Sequence, residues 1–171
     1  KKCLEIATTY FDNITIDLMF GMPSMTVEQW RQNLQTAFAY GIKHLSCYAL
    51  NVEPKTALEH FIRKGSHPPM DDELSAKHFE VLVEETSKQG LTHYETCSFG
   101  HSGFFSRHNM SYWLGKTYMG VGPSAHSFDG AKRSWNVSNN SKYIKALEAD
   151  ELPFESEVLS VENRFNEYIM T

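Results

Sequence analysis

Apolar side chains fall at every second position in NITIDLMF (13–20), where Ile14, Ile16, Leu18 and Phe20 alternate with Thr15, Asp17 and Met19. That is the period of a strand, whose successive side chains leave opposite faces. The turn GMPSM follows. Thr26 and Gln29 then stand at capping-box spacing before a helix that puts Val27, Trp30, Leu34, Ala37 and Phe38 inward and stops at Gly41. HLSCYALN (44–51) predicts a second strand, residues 56–64 a short helix ended by Gly65, and His67-Pro68-Pro69 a loop. Asp71 or Asp72 caps a long helix whose inward stripe reads Ala76, Phe79, Leu82, Val83 and Thr86, with Gly90 as its stop. THYETCSF (92–99) predicts a third strand, with Glu95 and Cys97 on one face and Thr96 on the other. Strands and helices alternating at this spacing predict βαβ units, and so an α/β fold on a parallel sheet.

The texture changes after residue 100, where Gly, Ser, His and aromatic residues dominate. SAHSFDGAKRSWNV predicts a hairpin turning at Asp129-Gly130, and Asn140 or Ser141 caps a helix carrying Tyr143, Ile144 and Leu147. Both ends read as helices. KKCLEIATTYF gathers Cys3, Ala7, Tyr10 and Phe11 on one face, and Ser160 caps VENRFNEYIM with Val161, Phe165, Tyr168 and Ile169 in helical register. The absence of start and stop signals at the two ends predicts a piece of a longer protein.

Charge and composition narrow the classes. The 171 residues hold 16 basic and 21 acidic side chains, a net charge of −5, and no basic cluster able to track a phosphate backbone, so no nucleic-acid partner is expected. No apolar run reaches the length of a membrane span. The three cysteines, Cys3, Cys47 and Cys97, lie too far apart for a local metal knuckle and fit a reducing, cytoplasmic compartment.

Candidate chemistry gathers in a few places. Asp17 sits mid-strand among Ile16, Leu18 and Met19; it is either an acid on a solvated face or a carboxylate that accepts ribose hydroxyls or meets a cationic ligand at the strand ends. Asn51, with Glu53 and Pro54, holds the matching place after the second strand, as a turn residue or a ligand contact. HNMSYW (108–113) brings His108, Asn109, Tyr112 and Trp113 together ahead of GVGPSAHSF, which ends in His126. Neutral imidazoles ligate iron or zinc, and Tyr112, Trp113 and Tyr118 are able to wall a slot for a planar ring; the alternative is core packing with His108 bonded into a turn. GVGPSA is not a dinucleotide fingerprint, and its glycines rather permit close backbone approach. Cys97 reads as inert filler.

NITIDLMFGMPSMT, HLSCYALNVEP, HYETCSF and above all SRHNMSYWLGKTYMGVGPSAHSF resemble the radical S-adenosylmethionine (SAM) proteins related to oxygen-independent coproporphyrinogen III oxidase, and within them the HemW-like haem chaperones. The resemblance runs along nearly the whole chain and weakens after residue 150. It implies the C-terminal half of a partial (β/α)6 barrel over residues 1–100 and a small α+β extension over 101–171. It implies a 4Fe–4S cluster on a CxxxCxxC loop, which this sequence lacks, so no residue here is a cluster ligand and this stretch alone is expected to be inactive. It further implies SAM contacts at Asp17 and at Asn51 or its backbone. His108, Asn109, Tyr112 and Trp113 match the HNxxYW motif of the proposed haem region, with His108 as candidate iron ligand, and His126 matches the AHS beyond it. Haem or a porphyrinogen and a haem-acceptor protein are the implied partners, with membrane contact only through such an acceptor. The runner-up is the oxidase itself, which carries out a step of porphyrin biosynthesis. The usual GLPGQT turn is GMPSMT here, and YEISNF is YETCSF, with Ser98 in place of asparagine. A zinc or purely structural module on His101, His108 and His126 is the remaining class.

Overall fold

The computed structural model describes residues 1–170, and the chain divides into two compact units, Lys1–Ser106 and the residues from Arg107 onward. The first unit runs α1 (Lys2–Tyr10), β1 (Thr15–Phe20), α2 (Val27–Ala39), β2 (His44–Ala49), α3 (Ala57–Arg63), α4 (Asp72–Lys88), β3 (Thr92–Glu95) and β4 (Ser98–Gly100). Its sheet is ordered β1-β2-β4-β3, so β1 is an edge strand. β1 and β2 are parallel, Thr15 beside His44 and Phe20 beside Ala49.

The expected third strand is instead a hairpin. The chain reverses at Thr96-Cys97, where the Cys97 amide donates to Glu95 Oε2 at 3.3 Å. β4 folds back between β2 and β3 and runs antiparallel to both, so the sheet is mixed rather than parallel. Thr96 and Cys97 therefore belong to the turn, and the expected two-face alternation does not hold there. Reversal lets Phe99 reach the core, where it is fully buried.

One face of this sheet is apolar and takes two helices. Phe20, Leu45, Cys47 and Phe99 meet Trp30, Leu34 and Ala37 of α2 and Val81 and Leu82 of α4. α2 starts where its capping box places it, with the Thr26 side chain accepting from Gln29 N–H and the Gln29 side chain from Thr26 N–H. Asp71 caps α4. The inward stripe of α4 differs from the one the sequence predicts: His78, Val81, Leu82, Glu85 and Thr86 are buried, while Ala76, Phe79 and Val83 are exposed. Polar partners explain the rotation. Trp30 Nε1 donates to the His78 carbonyl at 2.8 Å, and Arg31 of α2 pairs with Glu85. On α1 it is Leu4 that packs on the core; Cys3, Tyr10 and Phe11 are exposed.

The second unit holds α5 (Arg107–Trp113), β5 (His126–Phe128), β6 (Lys132–Asn136), α6 (Asn140–Glu148), β7 (Phe154–Val158) and α7 (Val161–Met170). β5, β6 and β7 form an antiparallel sheet in sequence order. The hairpin turns at Asp129-Gly130 as expected, with Asp129 Oδ1 accepting from Ala131 and Lys132 amides and Gly130 at φ 101°. Asn139, one residue earlier than expected, caps α6, and Ser160 caps α7. Helix α5 and strand β7 carry no apolar periodicity and were not expected. The apolar side of α7 is exposed, Val161, Phe165, Tyr168 and Ile169 included. No helix among the described residues is long and apolar enough to cross a membrane.

Candidate functional site

The face of the first sheet opposite α2 and α4 is polar. Strand register puts Asp17, Ser46 and Ser98 in one row across β1, β2 and β4, and Glu95 of β3 stands beside Ser98. Asp17 is exposed, whereas Ser46 and Ser98 are buried. Ser98 Oγ has no hydrogen-bond partner among the described residues. An orphaned buried hydroxyl normally costs about 1–3 kcal/mol, so it marks a place where the polar row is incompletely satisfied.

One step towards the start of the strands, a relay through the buried His44 crosses the same face. His44 Nδ1 lies 2.6 Å from Thr15 Oγ1, and His44 Nε2 lies 2.6 Å from the Tyr94 hydroxyl, which accepts from the Ser106 amide at 3.1 Å. One proton assignment satisfies every group: Tyr94 O–H donates to Nε2, and Nδ1–H donates to Thr15. The imidazole is then neutral. Burial lowers its pKa accordingly, against the opposing charges of Asp17 and Glu95. A histidine inside the apolar run HLSC was the available sequence signal, but its partners come from strands that only the fold brings alongside.

A second buried histidine fixes the turn after β1. His78 Nδ1 accepts the Gly21 amide at 3.0 Å, and burial lowers the His78 pKa. Gly21 sits at φ 75°, and a Cβ there would fall 2.7 Å from Ser75 Oγ. The turn thus needs glycine on two counts. Asn51 follows β2 and is exposed, two residues beyond Ala49, the register partner of Phe20.

The three cysteines do not suit an iron–sulfur cluster. Cys47 and Cys97 face one another across β2 and the hairpin turn, with the Cys47 amide donating to the Cys97 carbonyl at 2.7 Å. Burial, reinforced by Cys97 and Asp17, pushes the Cys47 thiol up to about 12, and burial raises Cys97 as well. A cluster takes at least three cysteine ligands, and only these two thiols stand near one another among the described residues. Cys3 is exposed on α1. No group of three or more His, Cys, Asp or Glu among the described residues is placed to hold a metal ion, which leaves the zinc reading without a ligand set.

In the second unit HNMSYW forms α5. His108 and Tyr112, one turn apart, meet through Nε2 and the phenol oxygen at 3.1 Å and pack edge-on. Tyr112 in turn meets Tyr118 edge-on at 4.7 Å, and Tyr118 leans on Phe128 of β5. The ladder is open to solvent: His108 is exposed, and Tyr112 and Trp113 are 42% and 39% exposed. Asn109 is half-buried. The ring contact of His126 is with Trp135 on the facing strand, not with His108. Gly120 explains the glycine run, because a Cβ there would lie 2.2 Å from the His126 carbonyl oxygen. Close backbone approach is what these glycines permit.

No family model matches the chain. It is 35% identical over 146 residues to the haem chaperone HemW of Bacillus subtilis, a match that covers 84% of this chain and 38% of that protein. HemW of Mycobacterium tuberculosis is 34% identical over 143 residues, again 84% of this chain and 37% of the relative. The mouse mitochondrial radical S-adenosyl methionine domain-containing protein 1 is 35% identical over 126 residues, 74% of this chain and 28% of the relative. Among solved structures, the fold matches Escherichia coli coproporphyrinogen III oxidase, HemN, a radical SAM enzyme. The TM-score is 0.80 at 16% identity over 99% of this chain and 42% of that one. The chain thus spans well under half the length of the relatives it matches. The resemblance read from the sequence holds, and on its HemW side.

Proposed function

We infer that this chain belongs to the HemW-like branch of the radical SAM proteins, and that it is the distal barrel and extension of a chaperone that binds haem and passes it to an acceptor protein. The observation that carries this reading is the 35% identity to a haem chaperone across 84% of the chain. The geometry supports it in two ways. Asp17 stands exposed on a strand face that neither α2 nor α4 covers, beside Ser46 and in one row with the unsatisfied Ser98 hydroxyl two strands away, and this suits a polar ligand such as SAM. Asp17 would accept ribose hydroxyls or face the sulfonium, with Asn51 at the rim. SAM and a 4Fe–4S cluster, the latter on cysteines outside these 171 residues, supply radical chemistry when bound. The open ladder of His108, Tyr112 and Tyr118 suits a tetrapyrrole, with imidazole for iron, flat rings for the macrocycle, and Asn109, Trp113 and His126 around it.

The alternative is the oxidase reaction, favoured by the HemN fold match; there HNMSYW would be scaffolding. The test is made on full-length protein with a reconstituted cluster. A Soret shift on adding haem, abolished by His108→Ala, with no turnover of coproporphyrinogen III, is the expected result. Protoporphyrinogen formation would overturn it in favour of the oxidase.

A further inference from the structure

A cavity of about 210 Å³ opens where β2 and β3 begin, at the opposite end of the strands from Asn51. Phe38 lines it from the last turn of α2, and Ile42 and Leu91 from just ahead of the two strands. These three make an apolar wall, with Ile42 and Leu91 buried. Lys43, Gln89 and His101 supply the polar groups, and no acidic side chain lines the space.

The sheet brings those polar groups together. Lys43 and His101 stand one step beyond the His44–Gly100 pair, and the His101 amide donates to the Lys43 carbonyl at 3.0 Å. Opposed residues of an antiparallel pair share a face, here the one that also carries Leu45 and Phe99 towards α2 and α4. A Cβ on Gly90 would lie 3.9 Å from His101 Cε1, so the ring sits beside the end of α4 that carries Gln89. The Lys43 ammonium lies 4.3 Å from the centre of the Phe104 ring, a contact that positions it without neutralising it. Lys43 has no carboxylate partner among the described residues, although the chain holds 21 acidic side chains against 16 basic ones. The Gln89 amide and the His101 ring have no hydrogen-bond partner there either. Nor are the three needed as helix caps. Backbone amides of Tyr40 and Gly41 close α2 on Ala37 and Phe38, and those of Gly90 and Leu91 close α4 on Ser87 and Thr86.

Unpaired donors beside an apolar wall fit an anion with a short hydrocarbon stem. We propose that this cavity binds a small aliphatic carboxylate. Its oxygens accept from the Lys43 ammonium, the Gln89 amide and the His101 ring N–H, and its stem lies on Phe38, Ile42 and Leu91. At about 30 Å³ for each water-sized atom the space admits about seven, the size of pentanoate. Inorganic phosphate has no stem for the apolar wall, and its higher charge would meet the negative ends of α2 and α4, which both point here. The site shares no residue with the SAM and haem readings.

Full-length protein in carboxylate-free buffer is titrated with pentanoate and, separately, with 1-pentanol and inorganic phosphate, read by calorimetry and by saturation transfer to the ligand. Pentanoate is expected to bind about tenfold more tightly than either. Lys43→Met, which keeps an unbranched stem over Phe104, should weaken pentanoate about tenfold or more and leave pentanol unchanged. Gln89→Ala alters an exposed position and should weaken pentanoate about threefold, which keeps the test open if the first variant disturbs the strand. Circular dichroism verifies both folds. A glutamate peptide blocked at both ends presents the same group from a protein source. The inference is overturned by no binding of pentanoate, by equal binding to wild type and Lys43→Met, or by phosphate binding as tightly. A peptide that binds where pentanoate does not overturns it as well. The HemW-like reading rests on sequence identity and survives each of these results.

Discussion

His78 receives the Gly21 amide at Nδ1, a bond that a protonated imidazole cannot accept. His44 depends in the same way on a neutral ring between Tyr94 and Thr15. Burial lowers both pKa values below the ordinary imidazole value of about 6.5, so on acidification the unfolded chain takes up protons before the folded one. The stabilisation is present above about pH 6.5 and is lost as pH falls from there through the folded values. Urea midpoints should therefore drop on going from about pH 8 to about pH 5, and His78→Gln, which keeps an acceptor without titrating, should flatten the slope. An unchanged slope in that variant would remove His78 from the account. At the same scale, iodoacetamide should label Cys3 rapidly and Cys47 only on unfolding, since the latter is buried with its thiol held near 12. Mass spectrometry of the labelled peptides decides this.

Gly120 is the element-level counterpart, because its missing side chain lets the loop from α5 lie against β5. Gly120→Ala should displace that loop and cost about 2 kcal/mol or more, while Gly21→Ala, which strains φ and meets a movable Ser75 hydroxyl, should cost about 1–2 kcal/mol. Thermal unfolding of the two variants gives the order. Arg31→Leu should lower the midpoint of thermal unfolding by leaving the buried Glu85 to Lys88 alone. These partners also explain what the sequence made legible. Capping at Thr26 and Asp71 and the alternation in β1 are local signals, and they place α2, the start of α4 and β1 correctly. The buried stripe of α4 was not legible, because His78 and Glu85 look like surface residues until Trp30, Gly21 and Arg31 are brought to them. THYETCSF looked like one strand because nothing in it marks the reversal; the Glu95 contact to the Cys97 amide forms only in the hairpin. His108 was singled out by residue type, but its Tyr112 contact needed α5, whose seven residues lack apolar periodicity.

At the scale of the whole chain, motif order carried what periodicity did not: the resemblance read from HNMSYW and its neighbours anticipated both the HemW relatives and the HemN fold. The cysteine environments add a prediction. These 171 residues, produced alone and treated with iron and sulfide, should retain neither at stoichiometry and should not cleave SAM. Metal analysis and detection of 5′-deoxyadenosine measure the two halves of that statement. The edge position of β1 has a further consequence. Among the described residues no strand pairs with its outer flank, which makes the chain a template for any extended segment of suitable pattern. Expressed alone it should self-associate through that flank. Supplied in the same cell with the remainder of a full-length relative, it should recruit the matching strand and reconstitute as a split protein.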